Sequence, residues 1–165
     1  MKLADALEMV MRTDPGMIRS HNEDAIFADA GLGVAILADG MGGYNAGEVA
    51  SGLATTRLAE DIAGVINSPA VLGRGLSDAS VVEAHVVNEV KAANLAIFNA
   101  AQGCSQYTGM GTTLVLAWFY DNRMSVAHVG DSRLYRLRGE RFEQLTRDHS
   151  LLQEQLDNGI ITAEQ

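Results

Sequence analysis

The residues with chemistry in them fall in three short stretches. RSHNEDA at 19–25 places Arg19, Glu23 and Asp24 in a loop at the start of an expected strand. ADGMGG at 38–43 ends an apolar run on Asp39 and follows it with Gly40, Gly42 and Gly43. AHVGDSRLYRLR at 127–138 sets Asp131 between Gly130 and Ser132 after another apolar run. If the strands carrying Ala25 and Ala38 pair as a hairpin, Asp24 and Asp39 lie at the same end of it. Carboxylates gathered at one edge repel and raise each other's pKa unless a cation sits among them. An all-oxygen donor set suits a hard divalent ion, Mg²⁺ or Mn²⁺, and no His or Cys cluster suggests zinc.

The glycines have their own logic. Glycine allows close backbone approach, so Gly40 could turn its carbonyl onto the metal that Asp39 holds, and Gly42 and Gly43 let the chain bend before a helix. Taken alone, Asp39–Gly40 is also an ordinary strand-to-helix loop, and Gly130–Asp131–Ser132 an ordinary tight turn. The glycines are not a P-loop, because no Lys-Ser/Thr pair follows them. Arg133 either pairs with an acid or flanks its strand. Asp148 or Ser150 is expected as the N-cap of a following helix. Cys104 has no catalytic setting and reads as structural, and His21, His85 and His128 carry no motif.

These residues need elements to position them. Residues 5–13 roughly alternate and read as a strand, closed by an Asp-Pro-Gly turn at 14–16. Residues 25–28 and 33–38 read as two strands joined by DAGL. Ala46, Val49, Ala50, Leu53, Ala54, Leu58 and Ile62 recur at helical spacing, and so do Val82, Val86, Val90, Ala93, Ile97 and Ala100. Strands are expected at 111–120, 123–130 and 133–138, with turns at 121–122 and 138–141. A short helix over 150–158 closes on Asn158–Gly159. TAEQ at 162–165 has the form of a capping box. Strands, then two helices, then strands predicts an α+β fold with helices covering antiparallel sheets.

Composition narrows the class. The 165 residues suit a single domain, 1–165, and 47% hydrophobic with 20% charged residues is a globular composition. A net charge of -9 with no Lys/Arg patch excludes direct nucleic-acid binding. Asp5 and Glu8 interrupt any signal-peptide core, and no run is long enough to span a membrane, so a cytoplasmic protein is expected. One cysteine rules out an internal disulfide.

Read in order, RSHNEDA, LADGMGG, GMGTTLVLA, AHVGDSRLYRLR and LTRDHSLLQEQLDNGIIT closely resemble the metal-dependent serine/threonine protein phosphatases of the PPM type, the bacterial protein phosphatase 2C-like proteins. The resemblance spans about 12 to 162. It implies a four-layer α-β-β-α sandwich with a two-metal centre, holding Mn²⁺ or Mg²⁺, at one end. Glu23 and Asp39 match acids that hold one metal together with the Gly40 carbonyl, and Asp39 matches the bridge to the second. Asp131 matches an acid of a third site in bacterial relatives, and Asp24 takes a water-mediated role. Arg19 matches the arginine that grips the substrate phosphate. Met41 stands where many eukaryotic members carry a histidine proposed as general acid. The implied activity is hydrolysis of phosphoserine and phosphothreonine in signalling phosphoproteins, by a hydroxide shared between two cations about 3.5–4 Å apart.

The chain departs from that pattern after Thr146, where neither of the family's two C-terminal aspartate segments is found. The expectation is therefore a sandwich incomplete at its C-terminus, with Asp39 a bridge to a poorly held second metal and with weak or no activity. Sheet edges left open would be covered in a homodimer. The alternative reading is a non-catalytic phosphatase-like binding or regulatory module.

Overall fold

VAILADGM, an apolar run that ends on Asp39, makes a strand whose successive side chains fall on opposite faces. In the computed structural model, which describes residues 3–43, 46–69, 71 and 76–162, this strand is β2 (Val34–Met41). Val34, Ile36, Ala38 and Gly40 are buried on one face, while Leu37, Asp39 and Met41 are exposed on the other. β1 (Asp24–Asp29) pairs with it antiparallel, and the register sets Asp24 opposite Asp39 and Ala25 opposite Ala38. Asp29 makes the turn, its Oδ1 accepting from the N–H groups of Gly31 and Leu32 at 2.7 and 3.0 Å.

The other edge of β2 is occupied by β3 (Gly111–Thr112) and β4 (Leu114–Tyr120), and β5 (Arg123–Val129) follows along β4. Asp121 and Asn122 connect β4 to β5 with φ of 38° and 60°, the twist that a two-residue hairpin turn requires. A separate ribbon, β6 (Tyr135–Arg138) with β7 (Arg141–Gln144), stacks Tyr135 on Phe142 with ring centroids 5.2 Å apart.

Two helices cover the buried face of the five-stranded sheet. α1 (Ala46–Ile66) and α2 (Ala79–Gly103) bring Leu58, Ile62, Val82 and Val86 onto Val34, Ile36, Leu116 and Trp118. Asp78 caps α2 by accepting from the Ser80 N–H. Toward the other end of α1 the packing residues shrink, and Ala46, Ala50 and Ala54 meet Ala38 and Met110. Small side chains let this end of the helix lie close to the sheet. α3 (Leu151–Asp157) is short, capped by Ser150 and followed by Asn158 and Gly159.

The α+β class, both long helices and the β1–β2 hairpin are as the sequence predicts. The strand expected at 5–13 does not form. Leu3–Asp5 is a 3-10 turn, and Val10 and Met11 are 88% and 51% exposed with no strand beside them. Alternation without a hydrogen-bonding neighbour does not make a strand. The expected strand at 111–120 is broken at Thr113, and β7 is a strand that the turn at 138–141 did not announce. Among the described residues the two long helices lie on one face of the large sheet. The second sheet is the β6–β7 ribbon, and Leu37 is 40% exposed on the open face. The last residues of the capping box, 163–165, lie outside the described residues. No described helix is long and apolar enough to cross a membrane.

The seam between α1 and α2 carries a polar group. A hydrogen bond to Asp61, followed by burial and the charge of Asp61, raises the Glu89 carboxyl above its ordinary value of 4.5, against the pull of His85 and Arg57. A raised acid stabilises the fold while protonated, and the contribution is lost as pH rises through its folded value. Urea midpoints of the chain should therefore fall from about pH 4.5 toward neutrality on this account, the reference carboxylate value being the lower bound. Glu89→Gln, which keeps a donor for Asp61 but has no proton to lose, should flatten that fall.

Candidate metal and phosphate site

The site begins where backbone meets backbone. Gly40, at the end of β2, lies against Gly47 in the first turn of α1. A Cβ on Gly40 would collide with the Gly47 carbonyl and come within 2.6 Å of the Glu23 carbonyl oxygen. That Glu23 oxygen accepts from the Gly40 N–H at 3.1 Å and from the Ser51 hydroxyl at 2.6 Å. Ser51 is fully buried on α1, so the residue before β1 is bolted to both helix and strand.

This bolt aims the Glu23 side chain. A Cβ on Gly47 would come within 2.8 Å of the Glu23 Oε1, so the carboxylate fills the space that a side chain at 47 would need. It rests beside the first turn of α1, where the helix dipole favours negative charge. Arg19 approaches it with Nη1 3.9 Å from Oε2, and the Arg19 side chain remains 69% exposed. A guanidinium so placed keeps donors free for an oxyanion.

Asp24 and Asp39 face each other across the same strand pair. Burial, then the charge of Asp39 and a hydrogen bond with it, push the Asp24 carboxyl up from its ordinary value, with Arg19 opposing and Glu23 adding to the rise. Asp39 is fixed by its backbone. Its N–H donates to the Thr113 Oγ1 at 3.0 Å, and its carbonyl accepts from the Thr113 N–H at 2.9 Å and the Thr112 hydroxyl at 3.0 Å. The break in the strand at Thr113 is what turns these groups toward Asp39.

The structure thus brings together Arg19, Glu23, Asp24, Asp39 and Gly40. Asp131 is exposed on the neighbouring loop, joined to Asp39 through a relay: the Ser132 hydroxyl meets the Thr113 Oγ1 at 2.7 Å. Met41 points to the same open face as Asp39 and is 66% exposed. Among the described residues no group of three or more His, Cys, Asp or Glu side chains is arranged to hold a metal ion. The donor set nonetheless suits a hard cation. Two facing carboxyls, one pushed up from its ordinary value by burial and by the other, are the arrangement a divalent ion relieves.

Arg133 resolves toward pairing. Its Nε and Nη2 clasp both oxygens of Asp148, at 2.6 to 3.0 Å, and hold that carboxylate below its usual range. Ser150 alone therefore caps α3. Ser51, Thr113 and the Glu23–Gly47 contact were not singled out from the sequence. Ser51 and Thr55 are polar positions within an apolar helical stripe, and that was their one signal.

A family model described as protein phosphatase 2C matches residues 19–157. The chain belongs to the protein phosphatase 2C family. It is 38% identical over 159 residues to the serine/threonine protein phosphatase PstP of Mycobacterium tuberculosis, covering 96% of this chain and 28% of PstP. It is 38% identical to the protein phosphatase PhpP of Streptococcus pneumoniae, covering 96% of this chain and 62% of PhpP. The catalytic domain of PstP, solved in complex with two manganese ions, superposes with a TM-score of 0.79 at 38% identity, covering 93% of this chain and 60% of that one. Stp1 from Staphylococcus aureus gives a TM-score of 0.77 at 35% identity, covering 93% and 58%. The chain thus spans less than two thirds of the length of each of these protein phosphatase 2C relatives.

Gly40→Ala should lower stability by about 1–3 kcal/mol, the range for overpacking a closed site, and weaken Mn²⁺ binding in titration calorimetry. Gly43→Ala, where a Cβ meets nothing within 4 Å, should change neither.

Proposed function

We propose that this chain serves metal-dependent hydrolysis of phosphoserine and phosphothreonine in proteins. The observation that carries the reading is the convergence of Glu23, Asp24 and Asp39 at one sheet end, with the Arg19 guanidinium beside them. Glu23, Asp39 and the Gly40 carbonyl would hold Mn²⁺ or Mg²⁺, and Asp131 would serve a further ion from its own loop. When bound, such a cation supplies Lewis acidity toward phosphoryl oxygens and acidifies water.

The chain's own residues do the rest. Asp39 keeps its carboxylate at a fixed place because Thr112 and Thr113 hold its backbone. Arg19 binds two phosphate oxygens and offsets their charge as it builds in the transition state. Its exposure leaves the phosphate side open to a protein-borne substrate. Asp24, its carboxyl raised by burial and by Asp39, takes a water-mediated place beside the metal.

A second reading, a phosphoprotein-binding module without turnover, is favoured by the spread of these acids, no three of which are arranged around a common ion among the described residues. Hydrolysis of p-nitrophenyl phosphate and of a phosphothreonine peptide with Mn²⁺ separates them. Turnover that EDTA abolishes, and that Asp39→Asn reduces by about 100-fold or more, supports the phosphatase. Metal-dependent phosphopeptide binding without product, in this chain and in the longest form of the protein, supports the module.

A further inference from the structure

His128 in β5 and His149 just before α3 take no part in the proposed chemistry, yet His149 clamps the loop that carries Asp131. The His149 N–H donates to the Gly130 carbonyl at 2.9 Å, and the Gly130 N–H donates back to the His149 Nδ1 at 3.3 Å. An N–H needs an acceptor, so this Nδ1 carries no proton. The His128 Nε2 lies 2.6 Å from the Arg147 carbonyl oxygen, which can only accept, so that nitrogen carries one. The two rings lie face to face at a tilt, with centroids 4.6 Å apart. Gly130 has a φ of 94°, and a Cβ there would meet the Thr113 Cγ2 at 2.8 Å. The loop is therefore pressed onto the residue that bonds the backbone of Asp39.

We propose that His149 is a positioning residue for the Asp131 loop and that it acts only as the neutral ring, making the loop a pH-sensitive latch. Protonation converts Nδ1 from acceptor to donor. The Gly130 N–H then faces another N–H, and one of the two bonds between Gly130 and His149 is lost. The charges around the ring are accounted for. Asp148 is clasped by Arg133, Arg147 is paired with Asp157, His128 stacks from β5, and Asp131 follows Gly130 on the loop. The second bond, from the His149 main chain, survives protonation, so the loop loosens without the domain unfolding.

Amide hydrogen exchange of the chain, read residue by residue by NMR, tests this whether or not the chain hydrolyses phosphate. After correction for intrinsic exchange, Gly130 should exchange about tenfold faster at pH 5 than at pH 7.5, the worth of one hydrogen bond. Leu116 and Ala117 in β4 should stay protected. His149→Asn places an amide oxygen near the position of Nδ1 and does not titrate, so it should keep Gly130 protected at both pH values. His149→Phe should expose Gly130 at both. Protection in His149→Phe equal to the parent overturns the proposal, and so does a pH response in His149→Asn equal to the parent's. Should His149→Phe also lose protection in β4, the parent and His149→Asn pair decides alone. A pH response confined to the parent upholds the latch, and its absence ends it.

Discussion

Everything at the site depends on how closely the start of α1 can approach the end of β2. Two main chains meet there with no side chain between them, at Gly40 and Gly47. The alanines at 46, 50 and 54 set the distance by presenting a thin face to Ala38 and Met110. With bulkier residues the helix would ride higher, the Ser51 hydroxyl would miss the Glu23 carbonyl, and the Glu23 carboxylate would lose its seat. Two packing regimes coexist on one helix for this reason. Leu58 and Ile62 build the core, while the small residues at the other end build the site.

Once that contact is made, charge follows geometry. The hairpin register sets Asp24 against Asp39 at the same end of the sheet. Their mutual repulsion is a cost of folding that a proton on Asp24 removes in one way and a divalent cation removes in another. Polar backbone groups supply the remaining order. Thr113 interrupts the strand, and in doing so gives Asp39 a donor and an acceptor of its own and reaches Ser132 on the Asp131 loop. Threonine, serine and histidine thus hold the backbone of the site from several sides.

Much of this was legible in the chain. The short apolar run of β2 and the helical spacing in α1 and α2 depend on neighbours close in sequence, so local pattern reports them faithfully. The hairpin that pairs Asp24 with Asp39 was readable because its turn is short and its register follows from Ala25 and Ala38. Residues 5–13 show the opposite case. Alternation there has the look of a strand, but a strand exists only beside another, and no local feature of Val10 or Met11 tells whether one is present. Arg133 is similar. The sequence allows it several partners, and the clasp on Asp148 forms only because the ribbon folds back 15 residues later.

By itself the sequence offered oxygen donors suited to a hard cation, and its family resemblance pointed to Arg19 for phosphate. It also determined the helices and the hairpin that carry them, because those elements are decided by period and by short turns. Only the tertiary structure decided that Glu23 would sit against Gly47, that Ser51 would bind the Glu23 carbonyl, and that Thr113 would serve both Asp39 and Ser132. These contacts join residues 19 to 74 positions apart. Distances of that kind are settled by how closely the layers pack, and side-chain size at the interface, summed over the whole seam, is what sets them.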